Sequence, residues 1–179
     1  MFHSRKTEAI VLKRRNFGEA DKILTLFSKH YGKIKAIAKG VRKTTSRKSG
    51  SLELFNCCYL LLAEGRNLDI IVEVQAVDSH QDWRKNLIKV SVAYYFCELV
   101  DKLTAEEQTH LPVYELLKNS LEKINRSNLT ALVRSFEEQL LDELGFGIPE
   151  NIRQQPGSLK KYLEQITERQ ITSPKLVKS

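Results

Sequence analysis

Cysteine, tryptophan, methionine and long apolar runs are scarce in this 179-residue chain, and each scarcity removes a class of protein. Three cysteines, Cys57, Cys58 and Cys97, are too few for a disulfide framework, and no C-x-x-C pair is present to open a zinc site. They read as buried thiols of a reducing cytosol. No run of roughly eighteen apolar residues occurs, so no membrane span is expected. The amino end has no apolar stretch of signal-peptide length either. Gly-rich phosphate loops, nucleophile elbows and Cys/His pairs are missing. The four histidines, His3, His30, His80 and His110, fit no ligand spacing. The expectation is a cytoplasmic protein without catalytic residues, metal or cofactor.

A further absence is the most telling. No Asp or Glu stands between Asp21 and Glu53. Residues 1–50 carry 14 Lys/Arg against three acids (Glu8, Glu19 and Asp21), a local net charge of +11. The remainder carries 15 basic and 19 acidic groups, or −4, which leaves the whole chain at +7. Cations concentrated on a folded scaffold repel one another and cost stability, unless a polyanion neutralises them. Nucleic acid is the leading candidate.

The two halves differ in period. Residues 7–77 show five short β-type runs, broken at Asn16-Phe17-Gly18, His30-Tyr31-Gly32 and Glu64-Gly65-Arg66-Asn67. In the third run Ile34, Ala36 and Ala38 alternate with Lys33, Lys35, Ile37 and Lys39, which predicts one apolar face and one lysine face. In the fifth, Leu68, Ile70, Val72, Val74 and Ala76 alternate with Asp69, Ile71, Glu73 and Gln75. Five short strands in so few residues point to a small barrel, because closure removes exposed edges. Val41–Ser51, rich in Lys, Arg, Ser and Thr, reads as a mobile basic loop.

From about Asp82 the period is helical. Ile88, Val92, Tyr95, Leu99 and Leu103 form one face and Leu87, Val90, Tyr94 and Cys97 a second, which predicts a central helix, apolar most of the way round. A second helix is expected from Pro112, a third after Asn128 ending at Gly145, and a short last one from Ser158. The fold class is therefore α+β, with a five-stranded barrel over residues 1–79 and a helical bundle over residues 80–179.

The candidate site is the basic surface of the barrel. Residues two apart on a strand lie about 7 Å apart, so Lys33, Lys35 and Lys39 would form a row of donors. Lys13 and Arg14 (with Arg15) on the first strand, and Arg42, Lys43, Arg47 and Lys48 on the loop, extend it. Barrels of this size bind oligonucleotides in such a groove. Phe17 and Tyr31, beside turn glycines, are the candidates for base stacking, whereas Phe27 and Phe55 are expected in the core. Glu19 and Asp21 invite an acid/base or metal reading, but no third ligand accompanies them. Balancing local basic charge or holding the turn is their expected role.

Several ordered blocks resemble one known family. These are Thr7-Glu8-Ala9-Ile10-Val11-Leu12, Gly18-Glu19-Ala20-Asp21-Lys22-Ile23-Leu24-Thr25-Leu26-Phe27, Tyr31-Gly32-Lys33 and Ala36-Ile37-Ala38-Lys39-Gly40-Val41-Arg42-Lys43, followed by Gly50-Ser51-Leu52-Glu53-Leu54-Phe55. They resemble the start of RecO, the bacterial recombination mediator and DNA repair family, and Leu140–Phe146 continues the likeness. The resemblance implies an oligonucleotide/oligosaccharide-binding (OB) barrel followed by a helical domain. It also implies binding of single- and double-stranded DNA and annealing of complementary strands. The implied partners are RecR and the acidic tail of the single-strand-binding protein, with help in loading RecA, at the bacterial nucleoid. The tail would meet the helical half, where Lys102, Lys118, Lys123, Arg126 and Arg134 are the available cations.

One departure stands out. Many members carry a four-cysteine zinc site where this chain reads Gly147–Pro156 without cysteine, and the family's usual ending follows almost directly at residues 169–175. The expectation is a short, zinc-free form. Two other readings use the same cations: an RNA-binding barrel, since backbone tracking alone does not distinguish the sugars, and an adaptor for acidic protein tails.

Overall fold

The computed structural model describes residues 4–155 and 157–167; the expected family-like ending at residues 169–175 lies outside them. Two compact units are present. One holds the chain up to His80 together with Ala105–Tyr114, and the other holds Gln81–Thr104 and the chain from Glu115 on.

The first unit is a closed barrel of five strands, β1 (Ser4–Phe17), β2 (Asp21–Ser28), β3 (Gly32–Ala38), β4 (Cys57–Ala63) and β5 (Asp69–Asp78). Around the wall the order is β1-β2-β3-β5-β4, and only the β3–β5 closure is parallel. This is the OB-fold barrel, and closure leaves no sheet edge running its full length. Ala9, Val11, Leu24, Leu26, Ile34, Ala36, Leu60 and Leu62 fill the interior. Phe27 and Phe55 are buried, but neither is among the side chains that fill the barrel interior: Phe27 alternates with the inward Leu24 and Leu26 and so faces outward, under cover. All three cysteines are buried free thiols. Burial pushes the Cys58 thiol up to about 12, so it stays protonated and unreactive.

Bulges break the simple alternation. In β1 the register steps from Val11↔Leu26 to Lys13↔Thr25, which leaves Leu12 as an extra residue. In β5 it steps from Leu62↔Ile71 to Leu61↔Glu73, so Val72 is extra. The fifth run therefore has no single apolar face. Ile71 points inward, Val74 packs against the core after the bulge, and Val72 is 41% exposed.

The expected mobile loop is also corrected. Val41 and Leu52 are buried in the barrel core, and a single helical turn forms at Gly50–Leu52. The Arg42 backbone N–H donates to the Ala20 carbonyl at 2.9 Å, and the Gly40 N–H donates to Asp21 Oδ1 at 2.7 Å. Asp21 thus ties this segment to the β1–β2 turn, the structural role expected of it.

The helices are α1 (Leu87–Leu103), α2 (Leu111–Lys123), α3 (Leu129–Glu143), α4 (Glu150–Gln154) and α5 (Ser158–Thr167). Asn86 and Asn128 cap α1 and α3, their side chains accepting from Lys89 and Ala131 N–H groups at 3.1 and 3.0 Å. The short α4 carries no apolar period and was not expected. Nor is α1 apolar to the core all round. Val92, Phe96, Leu99 and Val100 are buried, but Leu87, Ile88 and Tyr94 stand in solvent. Phe96 stacks on Phe136 of α3 at 4.1 Å, and beside them the Tyr95 hydroxyl donates to the buried Glu137 carboxylate.

Candidate nucleic-acid interface

The bulge at Leu12 decides which basic side chains face out. Val11 lies inside the barrel, and unbroken alternation would send Lys13 to the same side. The extra residue inverts the phase, so Lys13 emerges on the outer surface opposite Thr25. Thr25 in turn pairs with Lys35 of β3. Lys13, Thr25 and Lys35 thus form one outward row across three strands, with the lysines about 10 Å apart at two strand spacings. A second row, Arg15–Ile23–Ile37, runs beside it. Lys13, Arg15, Lys35 and Lys39 are all exposed.

The other predicted residues divide. Lys43 and Arg47 are exposed, and Arg42 is exposed with its guanidinium donating to the Gly18 carbonyl at 3.2 Å. The Lys48 Nζ donates to the Ile71 carbonyl at 3.1 Å, which fastens the loop to β5. Arg14, on the opposite phase from Lys13, is half-buried and ion-paired with Glu53. Lys33 does not join an exposed lysine row. It is only 7% exposed, and the strand edge beside it is bridged in parallel to Glu106 of the segment Ala105–Thr109.

The two candidate stacking residues also part company. Phe17 is 48% exposed at the end of β1. Tyr31 packs against the barrel core, and the Arg5 guanidinium sits 4.4 Å from its ring centroid, so one face is already occupied.

Beside this surface is an open groove of about 830 Å³, lined by β3, the β4–β5 turn and residues 106 and 107. Its charges are mixed. Arg5 pairs with Asp69, with Nε at 3.1 Å from Oδ2, and Lys35 pairs with Glu106. Arg66 also lines it from the tip of the turn.

The sequence matches the family models for the N-terminal and C-terminal parts of recombination protein O, over residues 1–80 and 84–151. It is 39% identical over 141 residues to a DNA repair protein RecO from Pelotomaculum thermopropionicum, covering 79% of this chain and 55% of that protein. Relatives of the same name from Thermoanaerobacter sp. and Roseiflexus sp. are 38% and 37% identical, each over 79% of this chain and over 58% and 50% of their own lengths. This chain belongs to the RecO family. It spans about half the length of the curated RecO relatives it matches. Among the described residues no helix is long and apolar enough to cross a membrane.

Within this RecO barrel, sequence reasoning missed two cations. Arg5 precedes the blocks that carry the resemblance and shows no period signal of its own. Arg66 had a usable one: it lies between Gly65 and Asn67 at a hairpin tip, where side chains project into solvent.

Proposed function

We propose that this protein is a non-enzymatic recombination mediator whose barrel, residues 1–79, binds single- and double-stranded DNA along the outer surface of β1, β2 and β3. The helical part, residues 80–179, serves contacts with other proteins. The observation that carries the reading is the Lys13–Thr25–Lys35 row, which the bulge at Leu12 creates on a rigid sheet. Lysines about 10 Å apart can follow alternate phosphates of an extended strand. Lys39, Arg42, Lys43 and Arg47 continue the positive surface, and Phe17 offers one face for a base. Arg14, Lys33 and Lys48 hold the scaffold rather than the strand.

Membership of the RecO family supports the further steps. These are annealing of complementary strands, cooperation with RecR, engagement of the acidic tail of the single-strand-binding protein, and help in loading RecA, in the bacterial cytoplasm at the nucleoid. Annealing follows physically from such a surface. Neutralised backbones lose their mutual repulsion while the bases stay free to pair.

Annealing of complementary oligonucleotides across a salt series tests the reading. Counterion release predicts an affinity that falls with salt, with a log–log slope of about −0.7 per neutralised phosphate on single strands. Competition with matched RNA belongs in the same experiment. Salt-independent binding, absence of annealing, or a strong RNA preference overturns the assignment.

A further inference from the structure

The lower edge of β3 is occupied by a piece of chain that belongs to no strand. β3 pairs with β5 only at Ala36 and Ile37. Next to Lys33 the edge is taken by Ala105–Thr109, all of it exposed. The Glu107 N–H donates to the Lys33 carbonyl at 2.8 Å, and Thr109 Oγ1 donates to the His30 carbonyl at 3.0 Å. Close approach depends on Gly32: a Cβ there would stand 2.0 Å from the Gln108 carbonyl oxygen. Glu107 is held at φ 58, a left-handed conformation that non-glycine residues adopt at a cost, so the docked segment stores strain.

Two of its five residues, Glu106 and Glu107, are acidic. Glu106 places its carboxylate on Lys35 Nζ, the same lysine that ends the outward row. A carboxylate oxygen on an ammonium group has the chemistry of a phosphate oxygen there, and one ammonium cannot serve both fully. Both side chains are about half exposed, at 46% and 53%, so water and salt weaken the pair and leave it displaceable.

We propose that Ala105–Thr109 is an acidic strap that competes with nucleic acid for Lys35, and that an incoming strand must displace Glu106 to gain that contact. This rests on the function proposed above and adds a built-in regulator to the same surface. The strap raises the threshold for binding, so that weak or short-lived encounters leave Lys35 engaged internally.

The test uses the full chain, a short fluorescein-labelled oligothymidine and a salt series. Glu106→Gln should tighten binding about two- to fivefold, the range of an exposed ion pair. It should also steepen the log–log salt slope by about 0.7, one additional phosphate. Lys35→Gln should weaken binding modestly by itself, and adding Glu106→Gln to it should bring no gain over Lys35→Gln alone. A gain that persists without Lys35 would reduce Glu106 to a general field effect and overturn the proposal, as would the absence of any gain. Acylation of Lys35 by an amine-reactive ester, read by mass spectrometry without oligonucleotide, should be faster in Glu106→Gln. An unchanged rate overturns the masking contact itself. If acylation speeds up but no variant binds oligothymidine, the contact stands, while the functional reading and the competitive role fall together.

Discussion

Two rows cross the outer face of β1, β2 and β3, and they meet opposite conditions. Ile10, Phe27 and Lys33 are register partners, exposed by 0, 0 and 7%. A few residues along, Lys13, Thr25 and Lys35 are register partners too, and both lysines stand in solvent. Lys33 and Lys35 leave one strand on one side, two residues apart. Alternation therefore fixes which way a strand residue points, but not whether the space there is open. Two of the three residues in the covered row are large and apolar, whereas the open row has none. The neighbours across the sheet distinguish the two lysines better than the strand's own period does.

Breaking the open row should produce the largest effect. Lys13→Glu, Lys35→Glu and Lys39→Glu together should weaken oligonucleotide binding on the order of a thousandfold at low salt and flatten the salt slope by about 2. Fluorescence anisotropy measures both, and circular dichroism should be unchanged because all three side chains are exposed. Affinity within tenfold of the wild type would remove this face from the binding surface. The covered row should respond in the reverse sense. Lys33→Glu buries a carboxylate beside Glu106 and Glu107, and should cost about 3 kcal/mol in urea unfolding. Lys35→Glu should stay within about 0.5 kcal/mol. Equal costs for the two would erase the difference between the rows.

The sequence made the barrel legible because five β-period runs were separated by glycine-bearing turns, and three of those turns join strands where expected. The acid-free stretch was equally readable as a surface of one sign. The phase of individual cations was not. Lys13, Arg14 and Arg15 are consecutive, and only the extra residue at Leu12 determines that the outer two face solvent while Arg14 turns to Glu53. A bulge is a property of a strand pair, set by where the register must slip, and a single strand does not announce it. The surroundings of Lys33 were hidden for a related reason, since the segment bridged to its strand edge lies some seventy residues downstream. Leu87, Ile88 and Tyr94 show the same limit on α1: an apolar residue at helical spacing need not be buried.

The helical unit repeats the covered row's situation with a group that titrates. Glu137 is 7% exposed, and burial raises its carboxyl from 4.5 to about 7. The Tyr95 hydrogen bond and the charges of Lys160 and Arg134 partly oppose the shift, while Glu138 adds to it. A raised acid favours the proton-bound folded state. Its contribution is complete below the ordinary carboxyl range and is lost as pH rises through about 7. Unfolding followed from pH 4.5 to 8 should therefore lose roughly 2–3 kcal/mol relative to Glu137→Gln, which removes the titration. Parallel pH profiles for the two proteins would refute the assignment.

Phe17 and Tyr31 extend the open-versus-covered contrast to stacking. Both are aromatic and both adjoin a turn glycine, but one ring is free on the surface and the other is bracketed by the barrel core and Arg5. Phe17→Ala should weaken single-strand binding by about 1 kcal/mol, the low end for one stacked base, with an unchanged salt slope because no charge is lost. Tyr31→Ala should instead lower the unfolding free energy by about 1–2 kcal/mol through lost packing and leave affinity nearly unaltered. The two measurements are independent, so a Tyr31→Ala protein that keeps its stability yet loses affinity would move the base platform from the end of β1 to the β2–β3 turn.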